Sequence, residues 1–315
     1  MEKRLYLVTG GAGFIGSHIC ERLLNDGHSV RVLDNFFSGK EENLKTIGGE
    51  VELVRGDIRD RQVLAEAMKG VWVVFHEAAL GSVPRSVADP LTTHDVNLTG
   101  TLNVLLAARD AGVRRVVYAS SSSVYGETPE LPKRESMQTQ PLSPYALTKL
   151  AGEHYIRIFN RVYGFEAVSL RYFNIFGPRQ DPQSQYAAVI PRFVTALLNG
   201  NRPVIYGDGR QSRDFTYVEN VVEANLLAAE AEGVAGRAFN VACGGRFSLL
   251  ELLERMKRII GSDIEPIHED ARAGDVRDSQ AAIEAAEEAF GYRVKVGFDE
   301  GLRRTVEWFQ KASGV

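Results

Sequence analysis

Arg4-Leu5-Tyr6-Leu7-Val8-Thr9-Gly10-Gly11-Ala12-Gly13-Phe14-Ile15-Gly16, near the start of a 315-residue chain, decides the fold. Residues 4–9 are a short β-prone run, and the residues from Phe14 to Asn25 place Phe14, Ile15, Ile19, Leu23 and Leu24 at helical spacing. The glycines therefore form a strand-to-helix turn. There Gly10 supplies backbone angles closed to other residues, Gly13 keeps no side chain in the way of a pyrophosphate, and Gly16 lets helix and strand pack closely. Free N–H groups at the helix start face an anion at this place. A second β-prone run, residues 29–33, ends at Asp34, about 20 residues past the turn, where a carboxylate binds a ribose diol and repels a 2′-phosphate. The expected ligand is NAD rather than NADP.

A second motif lies far downstream. Ser143-Pro144 suits a helix entry, with Ser143 as cap and Pro144 at the first helical position, which puts Tyr145 and Lys149 one turn apart on one face. A lysine ammonium near a phenol favours phenolate, so Tyr145 is expected to act as a base near neutral pH. The cluster Ser120-Ser121-Ser122-Ser123 follows the apolar run Val116-Val117-Tyr118-Ala119. Hydroxyls at the carboxyl end of a buried strand lie where ligands bind in open α/β sheets, and a serine there can orient a reacting hydroxyl towards Tyr145.

Strand-like runs at residues 51–55, 71–76, 115–119 and 167–171 alternate with helical ones, including 98–111 and 144–162. The pattern predicts an α/β protein: a Rossmann-type doubly wound parallel sheet over residues 1–174. Residues 175–315 read as a smaller mixed α/β substrate lobe with crossings back to the first. Helices are expected there at 187–198, 221–231, 249–260 and 302–310. A net charge of −4 carries no basic excess for nucleic acid. No apolar run reaches membrane-spanning length, no leader pattern opens the chain, and two cysteines, Cys20 and Cys243, fit a reducing cytoplasm. Cys20 reads as core, the six histidines show no ligand spacing, so no metal is expected, and His76 and His94 read as local hydrogen-bonding residues.

The residues 9–16, Asp34-Asn35, Gly56-Asp57-Ile58, His76-Glu77-Ala78-Ala79, Asn97, Ser121, Val124-Tyr125-Gly126, Tyr145-x3-Lys149 and Arg171-Tyr172-Phe173-Asn174 together resemble the extended short-chain dehydrogenases/reductases. Within that family the chain is similar to the nucleotide-sugar 4-epimerases, almost end to end. The resemblance implies an NAD site made of Gly10, Gly13, Phe14, Ile15, Gly16, Asp34, Asn35, Asp57, Ile58, Ala78, Ala79, Asn97, Tyr145, Lys149 and Tyr172. It implies Ser121, Tyr145 and Lys149 as catalytic residues. Arg213 and Arg272 are cations in glycine-rich loops suited to a diphosphate. The family binds the nucleotide at such positions, with Asn174 helping, Asp275 on the uridine ribose, and Val189, Val204 and Tyr206 along the uracil. Gly81, Ser122, Asn174, Gln180, Ala188 and Ser279 would surround the sugar. A homodimer built on faces of the helices at 98–111 and 144–162 is implied as well, although Leu102, Leu105 and Leu106 serve equally as core.

The expected activity is NAD-dependent 4-epimerisation of a UDP-sugar through a transient 4-keto intermediate. Residues 120–126 contain no carboxylate, which disfavours the 4,6-dehydratases and the UDP-glucuronate decarboxylases of the same family. A non-catalytic NAD-binding sensor is a further alternative. Residues 81–86, 179–182 and 274–280 look like the branch preferring N-acetylated hexosamines, and Ser279 stands where a bulky tyrosine restricts other members to plain hexoses. The implied reaction interconverts UDP-N-acetylglucosamine and UDP-N-acetylgalactosamine, with UDP-glucose and UDP-galactose also possible.

Overall fold

Seven runs rich in Val, Leu and aromatic residues pair side by side in the computed structural model, which describes residues 2–182, 188–270 and 277–314. The strands are β1 (Leu5–Thr9), β2 (Ser29–Asp34), β3 (Glu52–Arg55), β4 (Val73–His76), β5 (Arg115–Ser121), β6 (Ala167–Tyr172) and β7 (Ala238–Val241). Every pairing is parallel, in the order β7-β6-β5-β4-β1-β2-β3. Strand order reverses between β1 and β4, so the crevice outside their carboxyl ends is the place for a ligand.

The pleat divides the strands between two cores. Tyr6, Val8, Phe75, Val117 and Ala119 face one cluster, and Leu7, Val74, Val116 and Tyr118 face the other. Helix α1 (Phe14–Asn25) covers the first face through Ile19, Cys20 and Leu23. Helices α2 (Gly100–Asp110) and α3 (Pro144–Tyr163) cover the second through Val104, Leu105, Ala108, Ile156 and Phe159. Leu102 and Leu106 pack at the rim of that second cluster, so this leucine set serves the sheet core. A third cluster joins α4 (Val189–Leu198), α6 (Leu249–Ile260) and α7 (Phe298–Ser313) around Phe176, Phe193, Phe215, Leu252 and Leu302. Between them in the chain, α5 (Val218–Glu230) returns to the sheet, and its Val221, Ala224 and Ala228 complete the first core. Together with β7, this is a larger crossing-back than the sequence pattern suggested.

Several boundaries differ from the sequence reading, each for a local reason. The expected 98–111 helix is instead a π-helical turn, Asp95–Thr99, running into α2. The wider turn brings Asn97 inward, where it is 1% exposed. α5 starts at Val218 and α7 at Phe298, earlier than expected, because Glu219, Asn220, Asp299 and Glu300 interrupt the apolar period while suiting a helix start. Ser143 caps α3 by accepting the Ala146 N–H at 3.1 Å, Pro144 follows it, and Gly164 closes the helix at φ 65°. No helix among the described residues is long and apolar enough to cross a membrane.

Candidate active site

The glycine turn is packed backbone against backbone. Gly10 has φ 70°, and a Cβ on it would lie 2.8 Å from the Ala78 nitrogen. A Cβ on Gly16 would fall 2.3 Å from the Gly10 carbonyl oxygen, so Gly16 sets helix against turn rather than helix against strand. Gly13 is the N-cap of α1 and no side chain caps that end, which leaves the first-turn amides for an anion. The cleft above the turn, about 380 Å³, is lined by Gly10, Gly13, Phe14, Ile15, Gly16, Asp34, Asn35, Asp57, Ile58, Ala78 and Ala79, and by Gly81. Asp34 accepts the amides of Ala12 at 2.9 Å and Phe36 at 2.8 Å, and burial raises its carboxyl. Asn35 donates to Asp57 at 2.8 Å. Arg59 hydrogen-bonds the same carboxylate and holds it down at about 2. A bare helix start, glycines where any Cβ would collide, and a carboxylate at the end of β2 fit a dinucleotide without a 2′-phosphate.

Behind this cleft lies a buried polar layer. Asn97 accepts the Leu80 N–H at 2.7 Å and donates to the Leu80 carbonyl and to Thr148 on α3, tying the loop after β4 to the helix that carries Tyr145. His76 bonds the hydroxyls of Thr9 and Thr101, and burial pulls it to about 3, so it is a neutral spacer. The Ser121 hydroxyl at the end of β5 favours the Tyr145 phenolate. Ser121 also caps the turn Ser122–Tyr125 and accepts from the Ser123 hydroxyl at 2.9 Å. Lys149 Nζ donates to the Ala119 carbonyl at 2.6 Å and stands 5.9 Å from the centroid of the Tyr145 ring.

The electrostatics differ from the simple pairing expected of Tyr145 and Lys149. Burial lowers Lys149 to about 8, with Glu77 and Glu153 opposing. Burial raises the Tyr145 phenol, with the Ser121 hydrogen bond opposing and Glu77 adding to the rise. The ammonium is committed to a carbonyl, and a phenolate here needs a further positive charge in the cleft.

A second cleft, about 240 Å³, gathers Asn174, Ala188, Val189, Val204, Tyr206 and Arg213. Asn174 adopts φ 41° and donates to the Asp214 carbonyl at 3.0 Å. Arg213 donates to the carbonyls of Ser212 and Arg277. Arg192, 5.3 Å from the Tyr206 ring centroid, and Gln211 also line this cleft. Sequence reasoning passed over both, because no motif marks them. Of the remaining residues, Tyr172 is buried and donates to Glu77 at 2.8 Å. Ser122 opens the turn after β5 and lies outside both linings. Gln180 lies outside them too; it donates to the Ile175 carbonyl while its Oε1 is buried without a partner among the described residues. Ser279 donates its amide to the Ser212 carbonyl at 3.1 Å and lines neither cleft. Arg272 and Asp275 lie outside the described residues. Among the described residues no group of His, Cys, Asp and Glu could hold a metal.

Two buried residues to which the sequence reading gave no role hold the site together. Arg171 on β6 forms a two-point pair with Glu153 on α3, at 2.9 and 2.7 Å, and Glu153 also accepts from Ser120 at the end of β5. Arg171 further donates to Tyr125, which donates to Asn240 on β7. Four elements are thereby fixed around the end of β5. An arginine fifteen or more residues from its partner leaves no spacing signal.

Residues 6–242 match the NAD dependent epimerase/dehydratase family. A UDP-glucose 4-epimerase of Mycolicibacterium smegmatis is 42% identical over 313 residues, covering 98% of this chain and 99% of that protein. A UDP-N-acetyl-alpha-D-glucosaminuronate decarboxylase of Bacillus cytotoxicus is 33% identical over 322 residues, covering 99% of each. Among solved structures, the UDP-N-acetylglucosamine 4-epimerase of Methanobrevibacter ruminantium M1, in complex with UDP-N-acetylmuramic acid, superposes with a TM-score of 0.94 at 43% identity over 99% of this chain and 100% of that one.

Proposed function

This chain belongs to the NAD-dependent epimerase/dehydratase family, and from that premise we propose that it is a UDP-sugar 4-epimerase interconverting UDP-N-acetylglucosamine and UDP-N-acetylgalactosamine. The observation carrying the reading is Lys149 Nζ, held at the end of β5 by the Ala119 carbonyl and 5.9 Å from the Tyr145 ring centroid, beside a dinucleotide cradle and with no carboxylate in residues 120–126. Bound NAD⁺ supplies a hydride acceptor for C4 and the positive ring charge that the Tyr145 phenol lacks in the bare protein. Tyr145 takes the O4 proton and returns it after the 4-keto sugar has turned its other face. Ser121 orients O4 towards the phenol, and Lys149 keeps a cation under it. Asn174, Arg213, Val189, Val204 and Tyr206 hold the uridine diphosphate, with Arg272 and Asp275, outside the described residues, as its further contacts. Ser122, Gln180, Ala188 and Ser279 bound the sugar.

Proton NMR tests the reading, with UDP-N-acetylglucosamine and UDP-glucose supplied separately and absorbance at 340 nm followed alongside. New galacto anomeric signals without net NADH are expected. A 4-keto-6-deoxy or pentose product would replace the reading with dehydration or decarboxylation. Ser279→Tyr is expected to abolish turnover of the acetylated sugars while sparing the plain ones; equal loss of both would remove Ser279 from the sugar pocket.

The same reading includes a homodimer. Leu147, Ile158 and Val162 form one stripe on α3 and are 57%, 49% and 63% exposed. Light scattering is expected to give twice the 34.8 kDa chain mass, and Ile158→Glu with Val162→Glu to give the single chain. A wild-type monomer at micromolar concentration would exclude this interface.

A further inference from the structure

Glu77 has no part in the reaction as described, yet it lines the first cleft. It stands one residue beyond the His76–Tyr118 register pair of β4 and β5. That register sets it level with Ala119, whose carbonyl holds Lys149 Nζ. From β6, Tyr172 donates to Glu77 Oε1 at 2.8 Å, and Asn225 Nδ2 on α5 donates to the Tyr172 hydroxyl oxygen at 2.7 Å. Tyr172 and Asn225 are both buried. A carboxyl half-buried in a cleft wall with a neutral phenol as its donor is unfavourable for packing alone.

We propose that Glu77 is a positioning residue of the active site: its carboxylate, held by Tyr172, which Asn225 orients in turn, tunes the Tyr145–Lys149 pair. The inference rests on the reading that Tyr145 is the base. Three titratable groups gather at this place: the Tyr172 phenol bonded to the carboxyl from β6, the Lys149 ammonium held from α3 at the Ala119 carbonyl level with Glu77, and the Tyr145 phenol, whose ring centroid lies 5.9 Å from Lys149 Nζ. Glu153, paired with Arg171, acts on Lys149 as well, and His76 beside Glu77 is neutral.

The charge of Glu77 changes in the neutral range. Burial pushes its carboxyl up to about 7, opposed by the Tyr172 hydrogen bond and by Lys149. Ionised, it holds the Tyr145 phenol up and favours the ammonium form of Lys149; protonated, it releases both. The Ala119 carbonyl accepts from Nζ and so favours the ammonium in either state of Glu77, which leaves the direct action on the phenol to set the sign. Removing the carboxylate therefore eases ionisation of Tyr145.

The test is a titration of the Tyr145 phenolate absorbance in the NAD-bearing protein, taken as the difference from Tyr145→Phe, with the pH profile of epimerisation alongside. Glu77→Gln keeps an acceptor for Tyr172 and removes the charge. Its phenolate midpoint is expected about one pH unit below wild type, and the acid limb of kcat/KM should move with it. Tyr172→Phe removes a hydrogen bond that favours the carboxylate and should move the midpoint the same way by less; if Glu77→Gln does not fold, this variant decides. A midpoint that stays or rises overturns the role of Glu77. Wild-type protein that epimerises no UDP-sugar would instead sink the functional reading, and the phenol titration would still decide what Glu77 does.

Discussion

Tyr145→Phe is expected to lose about three orders of magnitude in epimerisation rate while still carrying NAD. The substitution removes one oxygen. That oxygen is the only group in the proposed mechanism that takes and returns the O4 proton, and no neighbour replaces it: Lys149 is turned to the Ala119 carbonyl, and His76 is buried between two threonines. The structural cost is small by comparison. Ser121 keeps its bonds to Ser123, so stability should fall by only about 1 kcal/mol. Rate and cofactor content thus separate, and the comparison discriminates an enzyme from a dinucleotide sensor, which has no use for the phenol. NMR rates with both UDP-sugars, together with the NAD content of the purified variant, make the measurement. Activity within tenfold of wild type would remove Tyr145 from the base role.

Gly16→Ala is expected to strip the cofactor and destabilise the fold, by about 2–4 kcal/mol. Its Cβ would lie 2.3 Å from the Gly10 oxygen and 2.9 Å from two further backbone atoms, and backbone cannot swing aside as a flexible side chain can. α1 would have to back away from the turn, yet Ile19, Cys20 and Leu23 on the same helix are fully packed against the sheet and α5. The first-turn amides then no longer meet the pyrophosphate at the right place. Gly27→Ala is the control: its φ of 85° makes alanine strained, by about 1 kcal/mol, but a Cβ there meets nothing within 4 Å. It should therefore melt slightly lower and keep its NAD. Calorimetric unfolding and absorbance of the purified proteins read both effects, and a Gly16→Ala protein with wild-type NAD content would show that the turn tolerates movement.

Much of the site was legible because its signals are local. Gly10, Gly13, Gly16 and Asp34 lie within one strand–helix–strand unit, and Tyr145 and Lys149 within one helical turn. Where a role depends on a partner remote in the chain, the sequence was silent. Glu77 reads as one letter of a motif until Tyr172, ninety-five positions on, is seen donating to it. Asn97 was placed by resemblance near the cofactor, but its grip on both polar groups of Leu80 appears only once a π-helical turn brings it inward.

Periodicity and turn chemistry in the chain by themselves determine a parallel α/β sheet, a glycine cradle suited to NAD and a tyrosine–lysine pair on one helix face. These depend on backbone geometry within about twenty residues, which side-chain spacing encodes directly. Tertiary structure alone decided that β7 and α5 from the second half complete the first core, that Arg171 and Glu153 hold α3 on the end of β5, and that Glu77, bonded by Tyr172, stands level with the carbonyl that holds Lys149. Each of these is a contact between distant segments, set by which surfaces bury best against one another, and no local pattern in either segment carries that information.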